Sequence, residues 1–169
     1  MTPSTESTPE GLTPSAFRNV MRAPASSVVV LATGTGQRRA GCTVTAICSL
    51  SDAPPSLLVC LNERSSALTA ILENGCFSAN YLREAHDGIA DTFAGRTGLR
   101  GNDRFDESWL QSENGMPVLT DALASFECDV RKVTNFGSHH IVIGRVLAAQ
   151  SSSAGTPLIY STGQYRNLA

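Results

Sequence analysis

The sequence predicts a mainly β fold, an antiparallel barrel with peripheral helices. Strand-like runs outnumber helical ones, and short turns join several of them. The C-terminal third sets Phe126, Cys128 and Val130 against Glu127, Asp129 and Arg131, the alternation of a strand with one wet face. A doubly wound parallel sheet would instead place a helix between successive strands.

In chain order, Thr13-Pro14 opens a short helix, with threonine as cap and proline at the first helical position. Phe17, Val20 and Met21 give it an apolar stripe and Pro24 ends it. Ser27 to Thr33 is β-branched and strand-like, and Gly34-Thr35-Gly36 turns the chain into a second strand, Ala40 to Leu50. In that strand the Thr-Val-Thr-Ala-Ile run sends hydroxyls and apolar groups to opposite faces. Pro54-Pro55 makes a rigid turn before an apolar strand, Leu57 to Leu61. Ser65 then caps a helix through Ala67, Leu68, Ile71 and Leu72 that stops at Gly75.

Cys76 to Leu82 reads as a strand, and Glu84 to Ala94 as a helix with Ile89 and Phe93 on one side. Gly95 to Gly115 holds the only tryptophan, Trp109, and is long for a connection. It is a lid, a binding loop, a dimer contact or a plain surface excursion. A turn at Asn135 to Ser138 leads into His139 to Ala148, apolar on both faces and so expected to be central. Pro157 to Ser161 is the last strand expected.

The totals exclude several functions. At 169 residues, 41% hydrophobic and 17% charged, the chain suits one folded domain. A net charge of −2 gives no electrostatic case for nucleic acid or an anionic membrane, which leaves a small molecule or another protein. Residues 1–14 are rich in Ser, Thr and Pro and resemble no targeting signal. They read as a disordered N-terminal tail of a cytoplasmic protein, and residues 15–169 as the domain. The five cysteines contain no C-x-x-C pair, so most are expected to be small buried hydrophobes; Cys42 and Cys60 stand apart because they flank the candidate site.

Gly34-Thr35-Gly36 lacks the third glycine of a dinucleotide fingerprint, Arg39 standing there, and a strand follows it; a hairpin turn is the better reading. His139-His140 cannot close on one metal ion, because adjacent strand residues point to opposite faces; no metal site is expected. One of the two lines a pocket while the other packs or faces solvent. The absence of a G-x-S-x-G elbow argues against hydrolysis. Small hydroxyl residues beside a glycine, with a helix start at Ser65 nearby, suit a flat polar ligand carrying a phosphate. Such parts bind, orient and shield a cofactor that supplies the chemistry.

These motifs, in this order, resemble the short-chain flavin reductases that feed two-component monooxygenases. Gly41-Cys42-Thr43-Val44-Thr45-Ala46, Ser49-Leu50-Ser51 and Pro54-Pro55 are similar to the G-x-T-A-x-S…S-x-S-x-x-P-P signature of that family. Phe77 to Leu82, Phe93-Ala94-Gly95, Asp103-Arg104-Phe105, Gly137-Ser138-His139 with Ile143-Gly144, and Pro157 to Tyr160 with Gly163 and Tyr165 match its later elements. The Thr45–Cys60 run most resembles the reductase component of 4-hydroxyphenylacetate monooxygenase and the pyrimidine-pathway reductases.

The resemblance implies an FMN-binding split β-barrel of Greek-key type, a homodimer with flavin near the subunit interface. It implies hydride transfer from NADH or NADPH to FMN or FAD, with reduced flavin passing to a separate monooxygenase. By position, Gly41 to Ala46 (Cys42, Thr43 and Thr45 among them) would lie along the isoalloxazine. Cys60, Leu61 and Asn62 with Ser65 and Ser66 would hold ribityl and phosphate, and Thr92, Phe93 and Ala94 would close the site. His139 would place the nicotinamide, with Tyr160 and Tyr165 in the closing segment. Ala40 flanks the site, and Arg39 either meets a pyrophosphate or is a solvated hairpin charge. Ser138 stands where the family has an aspartate. The alternatives are a reductase of another acceptor (a corrinoid, ferric chelate or nitro compound) that keeps its flavin tightly bound, and a non-enzymatic flavin-binding module.

Overall fold

The computed structural model describes residues 11–168. In chain order the elements are α1 (Pro14–Val20), β1 (Ser26–Ser27), β2 (Val29–Thr33), β3 (Ala40–Val44), β4 (Ile47–Asp52), β5 (Pro55–Asn62), α2 (Ser66–Asn74), β6 (Cys76–Tyr81) and α3 (Asp87–Phe93). They continue with β7 (Trp109–Gln111), β8 (Pro117–Leu119), β9 (Ala124–Phe136), β10 (His139–Ser151), β11 (Leu158–Ser161) and β12 (Gln164–Asn167).

Seven strands form the main sheet in the order β3-β2-β6-β9-β10-β5-β4, every neighbouring pair antiparallel. Its two edges, β3 and β4, are consecutive in sequence and separated only by Thr45 and Ala46. A link that short forces the sheet to curl until its edges meet, which makes a split barrel. The expected single strand from Ala40 to Leu50 is therefore two strands on opposite edges. Beyond the bend, Cys60 donates its N–H to the Ala46 carbonyl at 2.9 Å.

The barrel interior is aliphatic: Val29, Leu31, Leu57, Val59, Leu61 and Val142 surround Phe77, and Leu68 and Ile71 of α2 plug the space between them. Gly144 makes room for Phe77, since a Cβ there would lie 2.7 Å from its ring. A second core lies outside the barrel, where Val28, Val30 and Ala32 meet Leu82, Phe93, Phe105, Trp109, Leu119 and Leu158. β2 is buried on both faces because it serves both cores.

Other expectations are adjusted in detail. Thr13 caps α1, its hydroxyl accepting the Ala16 N–H at 3.2 Å; of the expected tail, residues 1–10 lie outside the described residues. The apolar stripe of α1 is exposed. The expected strand from Ser27 is split, β1 pairing with β11 and β2 with β3 and β6. Gly34 to Gly36 opens the β2–β3 hairpin, as read.

Helix α3 starts at Asp87 rather than Glu84. The preceding residues are held by Arg83 and His86 on the carboxylate of Asp121, with Arg83 Nη2 at 2.5 Å and His86 Nε2 at 3.2 Å from Oδ2. Residues 95–115 are no free excursion: they contribute β7, and Trp109 is 4% exposed, its ring packed tilted against Phe93 and edge to face against Phe105 at 5.1–5.2 Å between centroids. β10 is central in the sheet but not apolar on both faces; its start and that of the paired end of β9 project as a hairpin whose tip leaves Phe136 83% exposed. β12, opposite β11, was not foreseen as a strand, nor was β8. Cys48 is exposed, unlike the buried Cys128, and all five cysteines are free.

Candidate active site

Two clefts open on either side of the Thr43–Thr45 bend. The first, about 290 Å³, is lined by Cys42, Thr43, Val44, Thr45, Ala46, Cys60, Leu61, Asn62 and Ser65. The end of β3, the link to β4 and the end of β5 converge there on the N-terminus of α2. Ser65 occupies the N-cap, yet its side chain makes no capping bond, so the first N–H groups of α2 keep their capacity for an anion. Burial pushes the pKa of the Cys42 thiol up to about 11, an effect that nearby Ser65 and Arg104 only partly offset. Cys42 is thus a neutral lining group, not a nucleophile. No charged side chain lines this cleft among the described residues.

The second cleft, about 160 Å³, shares Thr43, Val44 and Thr45 and adds Val28, Ala94, Arg96, Tyr160 and Tyr165. The two tyrosines meet edge to face at 5.8 Å. Arg96 Nη1 donates to Asp91 Oδ1 at 2.7 Å and to the Tyr165 hydroxyl at 3.4 Å. Burial, followed by the bond to Asp91, raises the Tyr165 pKa to about 12.

The residues picked from the sequence divide by position. Cys42, Thr43, Thr45, Ala46, Cys60, Leu61, Asn62 and Ser65 come together in the first cleft; Ala94, Tyr160 and Tyr165 join Thr43 and Thr45 in the second. His139 is cross-strand partner of Asn62 and shares its face of the sheet. Its Nδ1 lies 3.0 Å from Ser138 Oγ, and the Ser138 carbonyl accepts the Glu63 N–H at 3.0 Å, which ties the hairpin to the loop before α2. His140 pairs with Leu61 and takes the opposite, inner face.

Arg39, Ala40, Gly41, Ser66, Thr92 and Phe93 line neither cleft, and His139 does not either: neither it nor His140 lines a cavity described here, against the expectation that one of the two would. Phe93 is buried beneath Gly41, where a Cβ would stand 2.9 Å from its ring and 2.7 Å from the Leu31 carbonyl. Arg39 is packed against the segment before β7. It is more than a solvated charge: its Nε donates to Asn102 Oδ1 at 2.7 Å and its guanidinium lies 4.8 Å from the Phe105 ring centroid. Thr43 is likewise engaged, donating to the Ala90 carbonyl at 2.7 Å.

A family model described as the flavin reductase like domain matches residues 21–169. The chain belongs to the flavin reductase family. It is 42% identical over 154 residues to the FMN reductase (NADH) RutF of Methylorubrum extorquens, covering 90% of this chain and 74% of that protein. Among solved structures it resembles BorF, the flavin reductase component of a bacterial two-component tryptophan halogenase (TM-score 0.85, 29% identity, 91% and 97% of the two chains). It also resembles the NADH:FAD oxidoreductase SgcE6 of Streptomyces globisporus C-1027, solved with NAD and FAD fragments (TM-score 0.84, 26% identity, 95% and 97%).

Within this flavin reductase, a larger cavity, about 640 Å³, lies at the other end of β5, lined by Leu57, Tyr81, Phe126 and Val146 with Asp52 as its one charged group among the described residues. It shares no residue with the two clefts, and although Ser49, Ser51 and Ser56 line it, the helix start at Ser65 does not, so size is a poor guide to the site here. Arg96 and Asp91 were missed from the sequence. The available signal was a basic residue directly after Phe93-Ala94-Gly95, which Gly95 turns back so that the Arg96 N–H reaches the Asp91 carbonyl at 2.9 Å. No helix among the described residues is long and apolar enough to cross a membrane.

Proposed function

We propose that the chain is an NAD(P)H:flavin oxidoreductase that supplies reduced FMN or FAD to a separate monooxygenase. The observation that carries the reading is the first cleft, where a hydroxyl-rich bend and an uncapped helix N-terminus converge in a member of the flavin reductase family. The donor set fits a flavin: uncommitted N–H groups at α2 suit its phosphate, and the hydroxyl of Thr45 and the amide of Asn62 suit its polar ring edge or ribityl chain. Bound flavin supplies the hydride-accepting ring.

The protein's share is binding and orientation. Ser65 and the backbone N–H groups of the first turn of α2, which opens at Ser66, hold the phosphate end, and Ala46, Cys60 and Leu61 shape the wall. Gly41 keeps β3 close over Phe93, while Thr43 pins that strand to α3. His139, steadied by Ser138, positions the nicotinamide from the rim, so hydride transfer needs proximity rather than a covalent catalyst.

The working unit in this reading is a cytoplasmic homodimer of the 15–169 domain. At about 290 Å³ the first cleft is at the lower bound of ligand sites, roughly 300–1,000 Å³, which supports completion by a second copy. The exposed Phe136 and the bare apolar stripe of α1 supply surface for that contact.

The test is aerobic NADH and NADPH oxidation by the purified chain, alone and with added FMN or FAD. Oxidation that appears with flavin and saturates with it supports a reductase of diffusible flavin. Absence of oxidation with either nucleotide sinks the proposal and leaves a flavin-binding module. His139→Ala is expected to raise the KM for nucleotide about tenfold with flavin affinity retained, the scale of one well-placed polar contact; an unchanged KM removes its assigned role.

A further inference from the structure

We propose that Arg96 grips a phosphate group of the nucleotide that spans the Thr43–Thr45 bend. The inference rests on the reductase reading above and adds to it an anion-binding side chain. Both ligands of a flavin reductase are polyanions, yet the first cleft offers no charged side chain. Arg96 is the one charged side chain lining either cleft among the described residues.

Its placement is built rather than incidental. Gly95 turns the chain off α3, and the bond to Asp91 together with the Tyr165 ring, whose centroid is 5.6 Å from the guanidinium carbon, fixes the plane of the group. Both side-chain bonds leave from Nη1. Nε and Nη2 make neither of these bonds, with the Tyr160 hydroxyl as the other polar neighbour of the guanidinium, and they form the fork that takes a phosphate in bidentate fashion. Asp91 cancels part of the charge in the free protein but leaves that fork open. The phosphate comes either from the nicotinamide nucleotide or from the flavin, and the two sources are separable.

The experiment compares the full-length chain with Arg96→Gln and Arg96→Lys, measuring binding of NADH, FMN and riboflavin by calorimetry. It also measures kcat/KM for NADH against N-benzyl dihydronicotinamide, a hydride donor without phosphate. Arg96→Gln is expected to weaken one phosphate-bearing ligand about tenfold or more, as loss of a charge-assisted bond does, with Arg96→Lys in between. Loss for NADH, with the NADH preference over the benzyl donor falling in step, assigns the phosphate to the nicotinamide nucleotide. Loss for FMN but not riboflavin assigns it to the flavin and moves the single phosphate of FMN from the α2 N-terminus to Arg96.

Equal weakening of FMN and riboflavin, with both donors slowed alike, shows a structural role and overturns the proposal. So does unchanged binding of every ligand. A wild-type chain that binds its ligands without turnover defeats the reductase reading while Arg96 is still judged by the binding data.

Discussion

The two cores that share β2 are built from different material. Inside the barrel, Val29 and Leu31 meet an aliphatic cluster drawn largely from neighbouring strands and α2. Outside it, Val28, Val30 and Ala32 meet aromatic rings brought from residues 93, 105 and 109, with Leu119 and Leu158 beyond. The inner core makes the barrel; the outer core fixes where the clefts lie. β3 shows the division residue by residue, for Cys42 and Val44 pack with the inner cluster while Gly41 rests on Phe93 and Thr43 bonds to α3. A site placed at the end of β3 inherits its shape from both.

The largest effects should separate the cores most cleanly. Phe77, fully buried in the barrel, is expected to cost roughly 3–5 kcal/mol when cut to alanine, read as a lower urea midpoint with unfolding still cooperative. Trp109→Ala removes a ring of similar importance from the outer cluster, whose loops have more freedom to collapse into the space. It should cost less global stability, about 3 kcal/mol, the low end for such truncations, and weaken flavin and nucleotide binding more than Phe77→Ala does at equal fraction folded. Equal stability losses with binding intact in the tryptophan variant would break the comparison.

Gly41→Ala comes next. Its added methyl meets the Leu31 carbonyl at 2.7 Å and the Phe93 ring at 2.9 Å, so β3 must lift off the outer core. Overpacking of this kind costs about 1–3 kcal/mol, and the lifted strand should lower flavin affinity in titration. Pairing it with Phe93→Leu relieves the clash with the ring but not with the carbonyl, so partial recovery is the expected result; full recovery would place the whole strain on Phe93.

The difference between the cores also marks what could be read in advance. The barrel strands declared themselves through period-two alternation, as in Phe126 to Arg131, and through turn residues such as Gly34-Thr35-Gly36. Helix α2 was legible from Ser65 to Gly75 because cap, apolar spacing and stop coincide. The break at Thr45-Ala46 was not, since nothing local distinguishes a strand that continues from one that crosses between the edges of a closed sheet. Trp109 and Phe105 gave no signal of their packing against Phe93, because that contact belongs to tertiary structure. For the same reason Arg39 drew attention in the sequence and Arg96 drew none. Arg39, beside the glycine motif, is spent on Asn102 and Phe105, while Arg96, beyond a helix end, faces a cleft.

The smallest effect sharpens the comparison at a single strand end. The Thr43 hydroxyl is already committed to the Ala90 carbonyl, whereas Thr45 sits exposed past the end of β3 with no side-chain bond among the described residues. Thr43→Val should therefore lower stability by about 1 kcal/mol, the net worth of one neutral hydrogen bond, measured as a shifted urea midpoint. Thr45→Val should leave that midpoint alone and weaken flavin binding by about the same amount, roughly fivefold in Kd. If Thr43→Val lowers affinity and Thr45→Val does not, the flavin is read by the threonine on the outer core, and the bend serves only as a link between the barrel's edges.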